Sequence, residues 1–517
     1  MKRERFKSIL LILLFVVSLS LTQRLWFDLP FGEVISLSNN KNIKEIDVDV
    51  TDILSPQSFT VSFGGGDHTV FFSEPYEVWN ITKADQKKEV WIWETAKLVL
   101  RDYLKDDYDI EEIDEDEWKK IKKFKSIKLD FACEVPGNSL ISLLSGKDSN
   151  MSKIKDKVNT ILIPATEEER ANVYLGNSEV NRYLKLTGSN MNEEIKGLIE
   201  NIYEVGERKG YISYYTIEDI FAVENDVLTP VFDEIDIRSS IKNVNELDLL
   251  GEDSYADEKG LLSIKSYSTR NQIDVSNNVY IRSKAQQFFG ESFDFVKEIT
   301  EVDGTIIYMY GYGDKALKIN RNGTLEYIEK TNKENSQAKL DFLDSLKYAS
   351  KFVTDKGDWP VNKENAYLYD YEVTEENNEK SYVFYFAYRL HGLPVHIPDE
   401  DKNRGIEVKV TGEQVTYYQR IVRVAGQQLD NKETIIPSIN TVWEKNSTSI
   451  KSNYLRENQL EGDKIEDFKI SEKIRNIQLC YFLYQDKLIP VWEITIDNIV
   501  YYFDLYNGEN YTSYPKD

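Results

Sequence analysis

Histidine and cysteine are scarce in this chain, with three His and two Cys among 517 residues. That leaves little room for a Cys/His metal site or a disulfide scaffold. Positive charge is also short, with 64 Lys+Arg against 89 Asp+Glu and a net charge of −25. A nucleic-acid binder needs the opposite balance, so no nucleic-acid partner is expected. No His-Glu-x-x-His, Gly-x-Ser-x-Gly or Walker lysine loop occurs, and the reaction classes those patterns serve lose their sequence support. A second run of 18 uncharged apolar residues is missing too, so the chain is expected to cross a membrane once. What is present is ample core material: 41% hydrophobic and 12% aromatic residues, including 33 Tyr. Wholesale disorder is excluded, and the length predicts about three domains.

The amino terminus bears on the compartment. Residues 2–7 carry four positive charges and one negative. Ser8 to Thr22 follow without a charge, and Leu25-Trp26-Phe27 extends the apolar run past Gln23 and Arg24. A helix from Phe6 to Phe27 rising about 1.5 Å per residue spans a hydrocarbon core of about 30 Å. The reading is a cytoplasmic tail at 1–7 and a transmembrane anchor at 8–27. Lys7, Arg24 and Trp26 would sit at the membrane interfaces. The positive-inside bias places the bulk of the chain outside the cell membrane. The rival is a cleaved signal peptide with Ser18-Leu19-Ser20 as cleavage site; Trp26 and Phe27, which continue the apolar run, favour the anchor. Ser18 and Thr22 lie four apart, with Leu11, Leu14, Val17 and Leu21 near the same stripe. Small polar residues let a second helix approach, so these six form a candidate helix–helix contact. They also suit a helix merely entering the interface.

Residues 28–45 read as a Ser/Asn-rich tether. An N-terminal α+β domain is expected over 46–235, a middle α+β domain over 236–335, and a β-rich C-terminal domain over 336–517. Within the first, Ser58–Phe63 and Thr69–Phe72 form a hairpin around Gly64 to Asp67. Helices are expected over Asp85–Lys105, with Trp93, Ala96, Leu100 and Leu104 on one stripe, and over Asp114–Lys125, Thr166–Gly176 and Asn192–Gly206. Ser126–Val135 reads as a strand. The middle region offers a short helix over Ser283–Phe289 and strands around the Asn322-Gly323 turn. The last region opens with a helix near Ser336 and continues in strands at Ala366–Val373, Ser381–His391, Ile406–Thr411 and Gln414–Val424. Tyr388 to Val395 and Tyr484 to Val491 share Tyr-x4-[Leu/Ile]-Pro-Val, which suggests a duplicated antiparallel meander. The second copy's helix is expected at Ile435–Lys445 or Ile450–Glu457.

Candidate chemistry is thin. His391 and His396 flank Pro394, with Asp399 and Glu400 as the nearest further ligands; the residues read better as polar turn positions than as a metal pair. His68 has no sequence-local partner. Gly64–Gly66 lack the lysine of a phosphate loop and read as a turn. Ser336-Gln-Ala-Lys339 has Ser-x-x-Lys spacing without its companion motifs. Asp106 to Glu117 holds nine acids in twelve residues but no Gly, so a solvated helix lead-in is favoured over a calcium loop. Cys133 and Cys480 both sit in strand-like apolar contexts and read as separate buried thiols, with one long-range disulfide as the alternative. No cofactor is expected. An anchored cell-wall hydrolase or wall-binding protein stays open as the other class, and would need paired carboxylates or an aromatic platform.

The opening Met1-Lys-Arg-Glu-Arg-Phe-Lys-Ser-Ile-Leu-Leu, with Ser18-Leu-Ser-Leu-Thr22 and Leu25-Trp26, resembles the start of the YycH family. Asp52-Ile-Leu-Ser-Pro56-Gln57 resembles the segment after that family's tether, and the Pro-Val meander resembles the C-terminal parts that YycH shares with its companion YycI. The resemblance implies a non-enzymatic membrane protein of a Gram-positive cell, with one anchor and three extracytoplasmic domains. It implies regulation of the WalK sensor histidine kinase of the WalK/WalR two-component system, which governs cell-wall metabolism. It also implies a complex with WalK and YycI in which transmembrane helices make much of the contact.

Overall fold

A computed structural model describes residues 50–64, 67–71, 76–79, 87–90, 92–105, 107–146, 154–169, 171–177, 179–188, 193–209, 255–256, 262–263, 265–331, 339–360, 366–376, 379–390, 393–398, 405–429, 439–458, 470–497 and 499–515. These residues belong to one unit, Val48–Asp517. The architecture is α+β with mostly antiparallel strands, as the sequence pattern predicts.

The N-terminal strands are β1 (Ser58–Gly64), β2 (Asp67–Phe71), β3 (Tyr76–Trp79), β4 (Lys87–Val90), β5 (Asp109–Ile113), β6 (Ser126–Pro136), β7 (Lys157–Pro164), β8 (Asn172–Asn177) and β9 (Arg182–Thr187). Seven of them form one sheet in the order β2-β1-β6-β7-β8-β9-β5. The expected hairpin is there, with Thr60 opposite Val70 and Gly64 turning at φ +93°. Helix α1 (Ile92–Lys105) buries Trp93, Ala96, Leu100 and Leu104, the stripe read from a 3.6-residue period. Helix α2 (Glu115–Lys122) is capped by Asp114, whose carboxylate accepts from the Glu117 N–H at 2.8 Å. Acids fill its first turn and lysines its last, in the sense the helix dipole favours. Helix α3 (Gly137–Ser145) and helix α4 (Glu193–Lys209) complete this part.

Three expectations fail here for identifiable reasons. The helix expected from Asp85 starts at Ile92, because Lys87–Val90 pairs with Tyr76–Trp79 as a separate hairpin. The helix expected over Thr166–Gly176 is strand β8. Every residue of β8 is buried between β7 and β9, and a strand covered on both faces loses the alternation that identifies strands. Gly176 fits there because an added Cβ would meet the Trp118 ring at 3.2 Å. The acidic run is not only a helix lead-in either. Asp109–Ile113 is the edge strand β5, and charge on an edge discourages pairing with another chain.

The remaining strands are β10 (Tyr255–Ala256), β11 (Leu262–Ser263), β12 (Ser266–Asn271), β13 (Lys297–Thr300), β14 (Ile306–Tyr310), β15 (Lys315–Ile319), β16 (Leu325–Glu329), β17 (Ala366–Glu376), β18 (Glu379–Leu390), β19 (Leu393–His396), β20 (Ile406–Thr411), β21 (Gln414–Arg420), β22 (Arg423–Leu429), β23 (Ile474–Tyr484), β24 (Lys487–Ile496), β25 (Ile499–Asp504) and β26 (Asn510–Pro515). All but β10 and β11 share one sheet. The pairing of β16 with β21 joins the strands before residue 330 to those after 366. Helix α5 (Asn278–Phe289) starts five residues earlier than expected, because Asn277 caps it by accepting from the Tyr280 N–H. Helix α6 (Phe342–Phe352) starts after Ser336, at the cap Asp341. Helix α7 (Ile439–Glu457) runs through both expected alternatives as one helix. The strand expected over Gln414–Val424 breaks into β21 and β22.

The Pro-Val repeat corresponds to two antiparallel strand pairs, β18–β19 and β23–β24. They meet through β19 and β23, which run parallel with Val395 opposite Tyr481 and His396 opposite Phe482. Along β23 to β25, Leu479, Tyr481, Trp492, Ile494, Tyr501 and Phe503 join the main core with Val442, Trp443 and Tyr454 of α7. Gln478, Cys480, Phe482, Glu493 and Tyr502 alternate with these and face the other side, since successive strand residues point to opposite faces.

Candidate functional site

The proposed helix-contact residues Leu11, Leu14, Val17, Ser18, Leu21 and Thr22, and the interface residues Lys7, Arg24 and Trp26, lie outside the described residues, as do His391, Asp399, Glu400 and Ser336. Among the described residues no helix is long and apolar enough to cross a membrane.

The segment next after the tether is held in place. Ile53 and Leu54 are buried. The Gln57 N–H donates to the Asp130 carbonyl of β6 at 2.7 Å, and the Ile53 carbonyl accepts from the Leu368 N–H of β17 at 2.8 Å. Trp93 of α1 donates through Nε1 to the Thr51 carbonyl at 3.0 Å. Arg389 of β18 donates through Nη2 to the Pro56 carbonyl at 2.7 Å and to that of Gln57 at 3.3 Å. Its guanidinium carbon lies 4.1 Å from the Tyr367 ring centroid. Residues 50–57 are thus clamped by α1, β6, β17 and β18, three parts of the chain far apart in sequence. A guanidinium suits this task because its planar fork serves two carbonyls while one face stacks on an aromatic ring.

A second polar group lies on the far face of the last sheet. His396 is 2% exposed, Glu493 5% and Cys480 fully buried. His396 Nδ1 contacts the Glu493 carboxylate directly. Gln478 Nε2 donates to Glu493 Oε1 at 2.9 Å, Cys480 Sγ lies 3.8 Å from Oε2, and the Tyr502 hydroxyl is 3.2 Å from Nδ1. Phe482, Ile489, Val491 and Val500 surround the group. His396 is therefore a buried strand residue and not a turn residue. Its neighbours come from positions more than 80 residues away, out of reach of any motif read along the chain. The available signal was a charge in the wrong place: Glu493 is the one charged residue from Leu488 to Ile496.

Both thiols are free and buried, as expected, and burial pushes the Cys133 thiol well above its ordinary value. A cleft of about 270 Å³ on the first sheet contains Glu134, Asp156, Lys157, Asn177 and Arg182. Its acids are charge-paired, Glu134 with Lys157 and Asp156 with Arg182, each at 2.8 Å. Burial raises the Glu134 carboxyl, but hydrogen bonds from Lys157 and Asn177 outweigh it and hold the group below its ordinary value. That leaves Glu134 an anion matched to its cation, with no tendency toward an acid at neutral pH.

Residues 4–203 match the model of the YycH protein, N-terminal domain. The crystal structure of YycH from Bacillus subtilis aligns with 91% of this chain and 97% of that one, at 15% identity and a TM-score of 0.46. No curated protein matches. The matched residues 4–203 take in the basic start, the apolar run and the clamped segment at 50–57.

Proposed function

We propose that this chain is a membrane-anchored, extracytoplasmic regulator of a WalK-like sensor histidine kinase, acting by protein contact together with a YycI-like companion. The family match over residues 4–203 carries this reading. The apolar run at 8–27 would be the retained anchor and the contact helix, with the tail at 1–7 in the cytoplasm.

The clamp gives this reading a physical route. A regulator works only if it binds two kinase states unequally, and a coupling of about 1–3 kcal/mol would shift output roughly 5–150-fold. Residues 50–57 end the tether on hydrogen bonds to α1, β6, β17 and β18, which fixes the point where the chain enters the outer body.

The test is co-purification of the intact chain with the kinase from its native membrane. Replacing Ser18 and Thr22 by Ile should weaken that association and change wall-gene output. Unchanged association and output would refute the helix contact.

A further inference from the structure

The buried group on the last sheet offers three unlike donors converging from three strands: an imidazole nitrogen, a thiol sulfur and a carboxylate oxygen, all within 4.8 Å of one another. We propose that His396, Cys480 and Glu493 bind a zinc-class divalent cation that pins β19 to β23 and β24. The inference is independent of the regulatory reading.

Four observations point this way. The donors sit on paired strands, with His396 opposite Phe482 and Gln478 opposite Glu493, so their convergence is set by register and not by mobile loops. The donor set is selective: thiolate and imidazole suit zinc or cobalt, while magnesium and calcium take oxygen ligands. The charges balance. A divalent ion with one thiolate, one carboxylate and a neutral imidazole is net neutral, which suits a carboxylate only 5% exposed among apolar neighbours, where a lone charge is costly. Distances are of the size a zinc site needs, the donor atoms lying within 4.8 Å of one another. Zinc bonds of about 2.3 Å to sulfur and 2.0–2.2 Å to oxygen imply a tetrahedral edge near 3.5 Å, and Sγ and Oε2 stand 3.8 Å apart. The direct contact between Nδ1 and the carboxylate must open to about 3.3 Å for the ion to enter.

Gln478 completes the design by holding Oε1, which orients the carboxylate in the way outer-sphere partners of metal ligands do. The Tyr502 hydroxyl stands 3.2 Å from Nδ1. On binding, the Cys480 thiol gives its proton to solvent and the thiolate takes its place on the ion, while the proton held between His396 Nδ1 and the Glu493 carboxylate moves by way of solvent to Nε2, leaving Nδ1 free to ligate as a neutral imidazole.

The test uses the intact detergent-solubilised chain, depleted of metal and titrated with zinc against a chromophoric chelator, then with cobalt as a spectroscopic probe. The expected result is one equivalent bound, with a thiolate-to-cobalt charge-transfer band. Gln478→Leu should weaken binding about 10–100-fold, Cys480→Ser should weaken it further and abolish the band, and Cys133→Ala should leave both unchanged. A wild-type chain that retains no zinc and shows no such band overturns the proposal without recourse to any variant. Equal binding by Cys480→Ser and wild type also overturns it, since the metal would then sit on surface acids.

Discussion

Arg389 is the residue whose loss should show most clearly how the chain entering the outer body is held. Truncating it to Ala removes a charge-assisted hydrogen bond to the Pro56 carbonyl at 2.7 Å, a longer one to Gln57 at 3.3 Å and a cation–π contact with Tyr367. A hydrogen bond from a charged donor contributes about 1.5–3 kcal/mol, and a desolvated cation–π contact about 2 kcal/mol. Arg389 is only 5% exposed, so solvent screening takes little off these values. Together they put the cost of Arg389→Ala at about 3–5 kcal/mol. Lys in its place keeps the charge but not the fork, and should recover less than half. The control is Lys351→Ala, which removes an exposed pair with Asp355 at 2.8 Å and should cost no more than about 0.5 kcal/mol. Urea unfolding gives the magnitude, and hydrogen exchange gives the location: the Leu368 and Gln57 amides, which donate to Ile53 and Asp130, should lose protection first. A loss below about 1 kcal/mol with both amides still protected would refute the clamp, because a hydrogen bond to a charged donor alone exceeds that.

Other sites give sharper local tests. Gly137→Ala places a Cβ 2.5 Å from the Asp156 carbonyl oxygen and 2.6 Å from the Ile154 side chain; backbone cannot yield as a side-chain tip does, so thermal unfolding should show a loss of about 1–3 kcal/mol. Tyr388→Phe removes a hydroxyl that donates to the Arg423 carbonyl at 2.8 Å and accepts from its N–H at 3.0 Å; leaving both groups buried without it should cost about 1–3 kcal/mol in urea titration. Cys133 and Cys480 are buried free thiols, and a thiol reagent should count two only after denaturation; fast stoichiometric labelling of the native chain would contradict the packing.

Elements with one exposed face were legible in the sequence, and so was β18, long and aromatic although buried along most of its length, but the shorter buried strand β8 was not. The Trp93–Leu104 stripe and the Asp114 cap follow from a 3.6-residue period and a capping preference. Strand β8, buried throughout, carries no alternation and reads as a helix from sequence alone. Lys87–Val90 was absorbed into the helix beside it because only its pairing with Tyr76–Trp79 makes it a strand. The clamp was half visible: the Asp52–Gln57 segment stood out by family resemblance, but Arg389 lies more than 330 residues away and no local pattern links them. The same holds for His396, whose contacts with Cys480 and Glu493 depend on the parallel pairing of β19 with β23.

In the proposed regulator an anchored helix and a firmly held outer body act together on a signalling neighbour. Photo-crosslinking from position 18 or 22 of the intact chain, in its native membrane, tests it most directly. Adducts with a sensor kinase or a YycI-like protein are expected, and those from a probe at 18 should disappear when Thr22 is Ile, and those from a probe at 22 when Ser18 is Ile. A chain recovered free in the medium, cut after Ser20, would contradict it.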